Sequence, residues 1–516
     1  MLRCCTRLAR ATVVSSLAAA GFTTPSADIA AQPPGDGMRS ATRGLAVLDS
    51  AIVANGGLTR LRAIEDLTVR YRGRRWMAYQ SVSASPPWTT QPTVQDLVVD
   101  IKNNRVYRFS ETRYPADFLF TGAQIITGPN ALFFDPTRAG FGDAISRATG
   151  SAQVATLGPR RELPALELLQ ARDRAESVRW VGERTDGGRR LQGVSYAQPN
   201  GAVYTLWIDA GSKRLARMEW LRDDPVDGDQ LASYDYSGYR METTIPVPTR
   251  LVERRNGELV RDDTLSVTID THPADSIFAA PKTGFVEGTP ITGPESEAVR
   301  KLADNVWLLQ QLPGGNRVLF VAFRDHVLVF EAPTPQAAAI AVLDAVKRTV
   351  PDKPVRYVTF SHPHDDHGGG LRPYIAAGVT IVTTPRNRRF IETVASARHV
   401  MRPDVLSTSP KAPVIETFTK KRVFTDGEMT VELHDIGPTS HSDEIVMAYF
   451  PKQRLVFQGD LLILPPRGEP SPANMLTAEF AQAIDRLGLQ VDVIAGVHGR
   501  VGTMDDLRDA VARRRP

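Results

Sequence analysis

The stretch SHPHDDHGGG, Ser361 to Gly370, constrains this chain more tightly than any other part of it. It puts three histidines and two aspartates within six residues, straight after the apolar run VRYVTF and just ahead of three glycines. The apolar run reads as a strand. Side chains two apart on an extended segment point the same way, so His362 and His364 can face one ion together. Asp366 and His367 come after the turn and can face a second ion. Gly368, Gly369 and Gly370 leave space for backbone beside the ions and open the next helix. Taken alone, the stretch also fits a polar loop with helix-capping aspartates, because a short motif is weakly specific.

Four ligands cannot fill two sites, and later segments supply the rest. His441 stands in GPTSHSDE just before the strand-like IVMAYF. Asp460 ends RLVFQGD, and His498 follows the apolar VDVIAGV. Each is a polar donor beside an apolar run, which suits a site on one edge of a sheet sandwich. Five of the nine histidines thus fall on candidate ligand positions. Imidazole and carboxylate suit zinc, and also iron or manganese. The only cysteines are Cys4 and Cys5, so a thiolate site or a disulfide is excluded from the remainder of the chain.

The other histidines read as structural. His272 and His326 sit at expected turns, His399 on an expected surface helix, and His434 in a strand beside Asp435. Asp365 serves its own loop rather than an ion. Ser361 is not needed as a nucleophile where an ion can activate water.

Residues 1–31 run from a basic start (Arg3, Arg7, Arg10) through an apolar middle to small residues, the order of a secretory signal. The apolar part is shorter than the roughly 20 residues that span a bilayer. Residues 32–41 read as a linker. From 42 to 285, alternating runs such as LTVRYR and the turn Asn256-Gly257 predict a mostly antiparallel sheet or open barrel behind a short helix. A Pro- and Gly-rich linker at 286–298 leads to 299–516, where strands mix with helices in an α/β layered domain. The net charge of +4 over 516 residues, with no basic stripe interleaved with aromatics, points away from nucleic acid.

On these motifs, residues about 300–510 resemble the metallo-β-lactamase superfamily. The resemblance implies an αβ/βα sandwich with two divalent metal ions at one edge. His362, His364 and His441 would hold the first ion, Asp366, His367 and His498 the second, and Asp460 would bridge them. An aspartate at 460 looks more like the glyoxalase II, lactonase and phosphodiesterase branches than the true β-lactamases, while HSDEIVMAYFP departs from the common HTxGS form. The expected activity is hydrolysis of an ester, lactone, thioester, amide or phosphoester by a hydroxide shared between two zinc ions, with Asp366 moving the proton. LLILPPRGEP (461–470) suggests a small, partly hydrophobic substrate. Residues 42–285 more weakly resemble the open-barrel carriers of lipoproteins in bacterial envelopes, through WIDAGSKRL and IDTHPADSIFAAP. Lipid or lipoprotein binding with a secondary hydrolase is therefore one alternative, and a mononuclear-iron persulfide dioxygenase another.

Overall fold

The structure is a computed structural model that describes residues 35–137, 144–149, 162–198, 200–287 and 293–514. The expected secretory signal lies outside the described residues.

The first part is a 14-stranded sheet. Strand Asp66–Trp76 lies at its middle, with Leu67, Val69 and Tyr71 buried on one face as the alternation predicts. On one side follow Thr90–Asp100, Arg105–Tyr114, Phe118–Thr127 and Asn130–Phe134, each antiparallel to the one before. On the other side it pairs with Glu258–Ile269, which the Asn256-Gly257 turn joins to Arg250–Arg255. Both turn residues have positive φ, 48° and 87°, the conformation that a tight hairpin needs. The sheet stays open, with Arg179–Asp186 at one edge and Val286–Glu287 at the other. Val286–Glu287 runs parallel to Ala144–Thr149, so a stretch read as linker contributes a short strand.

Helix Asp36–Ala54 is longer than the expected short helix and begins inside the stretch read as linker. Its Leu48, Ala51 and Ile52 join Leu163, Leu168 and Ala171, at and in helix Pro164–Asp173, in one core against the sheet. Burial of this apolar stripe, at about 25 cal/mol per Å², holds both helices to the sheet.

The second part is two sheets face to face. One has seven strands, from Val299–Ala303 to Val414–Thr417, with Val355–Thr359 third from its end. The other has six, from Lys421–Thr425 to Gly502–Thr503. Strand Val318–Ala322 shows why both faces are covered. Leu319 and Val321 point into the core between the sheets, while Val318, Phe320 and Ala322 point into a second core under helices Gln336–Thr349 and Arg388–Ser396. Helices Met475–Leu487 and Met504–Ala512 cover the far face of the six-stranded sheet. This is the αβ/βα metallo-β-lactamase fold, preceded by a large antiparallel sheet. Among the described residues no helix is long and apolar enough to cross a membrane.

Candidate metal centre

Every predicted ligand lies at one edge of the sandwich. His362 and His364 follow strand Val355–Thr359, His362 in a bend and His364 in extended backbone (ψ 151°) just before the one-turn helix Asp365–Gly368 that carries Asp366 and His367. Asp460 follows strand Leu455–Gln458, His498 follows Val493–Gly496, and His441 precedes Val446–Phe450. Gly369 leaves room for backbone beside the cluster, as expected: a Cβ there would lie 2.5 Å from the Asp365 carbonyl oxygen, and also 2.6 Å from Thr334 Cγ2. Gly370 serves the neighbouring loop instead, since its Cβ would lie 2.3 Å from the Pro333 carbonyl oxygen.

The donor atoms converge in two groups: His362, His364, His441 and Asp460 in one, Asp366, His367 and His498 in the other. His362 Nε2 stands 2.9 Å from His364 Nδ1 and 3.2 Å from His441 Nε2. Asp460 reaches into both. Its Oδ2 is 3.1 Å from His441 Nε2, while its Oδ1 is 3.0 Å from His367 Nε2 and 3.2 Å from His498 Nε2. Asp366 Oδ2 closes the second group, 3.4 Å from His498 Nε2. Exposure rises from zero at His362 to 26% at His498 and 32% at Asp366, so the second group opens to solvent.

The outer contacts say which atoms offer lone pairs. His364 Nε2–H donates to the Ser81 carbonyl at 2.9 Å, a pure acceptor, which leaves Nδ1 unprotonated toward the cluster. His367 Nδ1 faces the Glu331 carboxylate at 3.3 Å and the Ser361 hydroxyl at 3.2 Å, which turns its Nε2 lone pair inward. A carboxylate behind a ligand imidazole is the usual way to fix its tautomer. His367 Nε2 and Asp460 Oδ1 are buried and face only other members of the cluster, with no well-formed hydrogen bond, as donors aimed at a cation would be. The donor set therefore fits two divalent ions.

Electrostatics separate the groups. Burial, helped by His441, pushes His364 down to about 3, and burial with its neighbouring imidazoles pushes His362 far down. Both are neutral and ready to coordinate at pH 7. Burial opposes the charged form of His498, but hydrogen bonds with Asp366 and Asp460 outweigh it and push the group up to about 9. Burial likewise resists ionisation of Asp460, yet His367, His441 and His498 hold it far below the usual carboxylate range.

The remaining sequence readings divide. Asp365 belongs to neither donor group and accepts from Gln80 Nε2 at 2.7 Å; burial and the adjacent Asp366 raise it to about 6. His326 bonds Asp325 at its turn, and His434 bonds Glu432 rather than Asp435. His272 is exposed at a strand end, with its backbone N–H on Asp66. His399 is not on a surface helix. It lies beyond the end of Arg388–Ser396, buried, with Nδ1 2.7 Å from Asp223 of the sheet domain.

Sequence reasoning missed Gln80, Ser81, Glu331, Tyr114 and Phe120. Glu331 carried a signal: an acid ending the apolar strand Val327–Phe330. The others come from the sheet domain and reach the centre only through the fold. A cleft of about 920 Å³ opens beside the cluster. Its walls are Tyr114 and Phe120 from the sheet domain and Ile463, Leu464, Pro465 and Pro466 from the sandwich. Arg317 and Arg500 also line it, and each already faces a carboxylate, Glu295 at 3.0 Å and Asp506 at 2.6 Å.

Residues 313–498 match the family model of the metallo-beta-lactamase superfamily. Among solved structures, a metallo-beta-lactamase from Pontibacter korlensis is similar at 21% identity and TM-score 0.32, over 42% of this chain and 96% of that one. A metallo-beta-lactamase from Hirschia baltica is similar at 19% identity and TM-score 0.31, over 42% and 97%. The metallo-beta-lactamase FIM-1 from Pseudomonas aeruginosa, in its mono-zinc form, is similar at 16% identity and TM-score 0.32, over 42% and 92%.

Proposed function

Since residues 313–498 carry a metallo-β-lactamase superfamily domain, we propose that the protein is a hydrolase that works with two divalent ions on a small, partly apolar acyl substrate. His362, His364 and His441 would hold one ion and Asp366, His367 and His498 the other, with Asp460 placed to serve both. The observation that carries this reading is the split of the Asp460 carboxylate, one oxygen to each group. When bound, the ions supply Lewis acidity: they make water nucleophilic near neutral pH and polarise the substrate oxygen. Zinc suits these donors, with iron and manganese as alternatives.

The chain supplies the rest. Asp366 stands at the open side of the cluster, where it can take a proton from the attacking water. Burial resists its ionisation, but His367 and His498 keep it ionised, so it is free to accept that proton before the leaving group takes it. Tyr114, Phe120 and the Ile463–Pro466 segment exclude water from an apolar substituent. Both cleft arginines are paired with carboxylates, which favours a neutral ester, lactone or thioester over a phosphoester. The basic, apolar and small-residue order of residues 1–31 supports an exported enzyme.

Elemental analysis after loading, followed by turnover on a panel of lactone, ester, thioester, phosphodiester and β-lactam substrates, tests the reading. Two equivalents of metal per chain and chelator-sensitive acyl hydrolysis are expected. Retention of full turnover after the metal is stripped would overturn it.

A further inference from the structure

We infer that the sheet domain builds part of the metal centre: its strap Met77–Thr89 orients Asp366 through Gln80 and His364 through the Ser81 carbonyl. This rests on the metal reading above. Both restraints come from outside the residues that match the family model.

Strands Asp66–Trp76 and Thr90–Asp100 are paired up to Trp76 and Thr90. The residues between them leave the sheet and cross to the sandwich. The strap is closed at its neck by Met77 N–H on the Thr89 carbonyl at 2.9 Å, and by the Ser81 hydroxyl, which bonds the Thr89 hydroxyl and N–H, both at 2.7 Å. Its middle is anchored in the sandwich. There Tyr79 packs against Phe390 at 6.0 Å and, with Ala84, on the sandwich's outer core, while Trp88 of the strap, edge-on at 5.2 Å, and Asp227 of the sheet domain, which accepts from its hydroxyl, hold the ring from behind.

From that fixed strap, contacts run to the ligand loops. The Tyr79 carbonyl accepts from Asp365 N–H at 3.0 Å, and the Val82 carbonyl from Asp443 N–H at 2.8 Å. Gln80 Nε2 donates to Asp365 Oδ1 and Asp366 Oδ1, each at 2.7 Å. A primary amide has two N–H donors, and two carboxylates take both, so the amide orientation is fixed by charge. With Oδ1 held, the Oδ2 of Asp366 is the oxygen left to face His367 and His498. The Ser81 carbonyl does the matching work at His364, keeping the proton on Nε2 and Nδ1 free for an ion. Gln80 and Ser81 are positioning residues: they act through ligands and touch neither ion nor substrate.

The test uses the full chain, cobalt(II) as the probe, and Gln80→Met, which keeps length but loses both donors. Cobalt affinity is read by chelator competition and by the d–d spectrum. It is measured in a His498→Ala background, which leaves only the first group complete, and in a His441→Ala background, which leaves only the second complete. Gln80→Met is expected to weaken cobalt about 10- to 100-fold in the His441→Ala background, and to change it less than about twofold in the other. Gln80→Lys, which restores a donor, should recover part of the loss. Unchanged affinity in both backgrounds, or equal weakening in both, would overturn the inference. If Gln80→Met does not fold, Ser81→Ala replaces it. That variant unpins the strap beneath His364 and should weaken cobalt in the His498→Ala background; unchanged affinity there overturns the inference. Wild-type protein that takes up no cobalt would sink the metal reading itself, whereas two ions bound alike by wild type and Gln80→Met would sink only the strap.

Discussion

Asp460 is the side chain on which the two donor groups depend together. Its two oxygens lie 3.1 Å from His441 and 3.0 Å from His367. Replacing an orienting contact behind a ligand costs about 10- to 100-fold in metal affinity or activity, so losing a ligand common to both groups should cost more. Asp460→Ala is expected to hold at most one ion per chain and to lose about 100-fold or more in kcat/KM, read by elemental analysis and steady-state kinetics. Two retained equivalents with normal turnover would remove Asp460 from the centre. The ligand types were legible because few residues coordinate metals, and because each stands beside an apolar run that the strand period marks. Gln80 was not. An amide is chemically ordinary, and this one meets Asp366 across 286 positions of sequence. What sequence did offer was an irregular stretch between two strands, far longer than the two to five residues of a usual hairpin loop.

At the scale of elements, one buried ion pair ties the helices beside the site together. Arg372 opens helix Arg372–Ala377 and is 2% exposed, and it bonds Asp404, the cap of the short helix Val405–Thr408. The same guanidinium donates to the carbonyls of Val394 and Ala397 at 2.8 and 3.0 Å. Breaking one partner of such a pair costs about 3–5 kcal/mol. Burial resists ionisation of Asp404, but Arg372 and the Ser407 donors hold it well below its ordinary 3.8. A carboxylate depressed on folding stabilises above the unfolded value and loses that contribution as pH falls. Asp404→Ala should therefore melt well below wild type at pH 7, with the gap narrowing below about pH 4; a gap independent of pH would refute the account. The strands Arg105–Tyr114 and Phe118–Thr127 bring Tyr114 and Phe120 to the cleft, the rings 6.4 Å apart and edge-on. Truncating either to Ala should raise KM about tenfold for an apolar substrate with kcat little changed, since such burial is alike in ground and transition states. A fall in kcat alone would argue against a binding wall. Alternation and turn chemistry made strands such as Asp66–Trp76 and the Asn256-Gly257 hairpin readable in sequence, whereas the burial of His399 was not. Its partner Asp223 belongs to the other domain, and no local period records a contact of that kind.

The two domains meet at more than the strap. Val226 of the sheet domain lies in the outer core of the sandwich, and Asp229 accepts from the backbone N–H groups of Val400 and Met401 at 2.7 and 3.2 Å. Asp229 N–H in turn donates to the Arg398 carbonyl at 2.7 Å. Fold class was readable for each half because a sheet's period is local, but their union was not, because it is made by loops whose residues are unremarkable one at a time. The union has a thermodynamic consequence. An ion that binds only the folded centre stabilises it by RT ln(1 + [L]/Kd), about 4 kcal/mol at a thousand times Kd. Strap residues are part of the same packed unit, so that stabilisation extends to the sheet as well as the sandwich. Stripping the metal should lower the melting temperature by about 5 °C, and calorimetry should show one transition moving as a whole. Tryptophan reports from both sides: Trp307 packs on Phe320 in the sandwich, and Trp220 on Tyr234 in the sheet. Variants that keep only one of these as a fluorescent probe should melt together, with and without chelator. If chelation moved the Trp307 transition and left the Trp220 transition in place, the sheet would be a separate passenger, and the contacts at the strap and at Asp229 would carry no coupling between the domains.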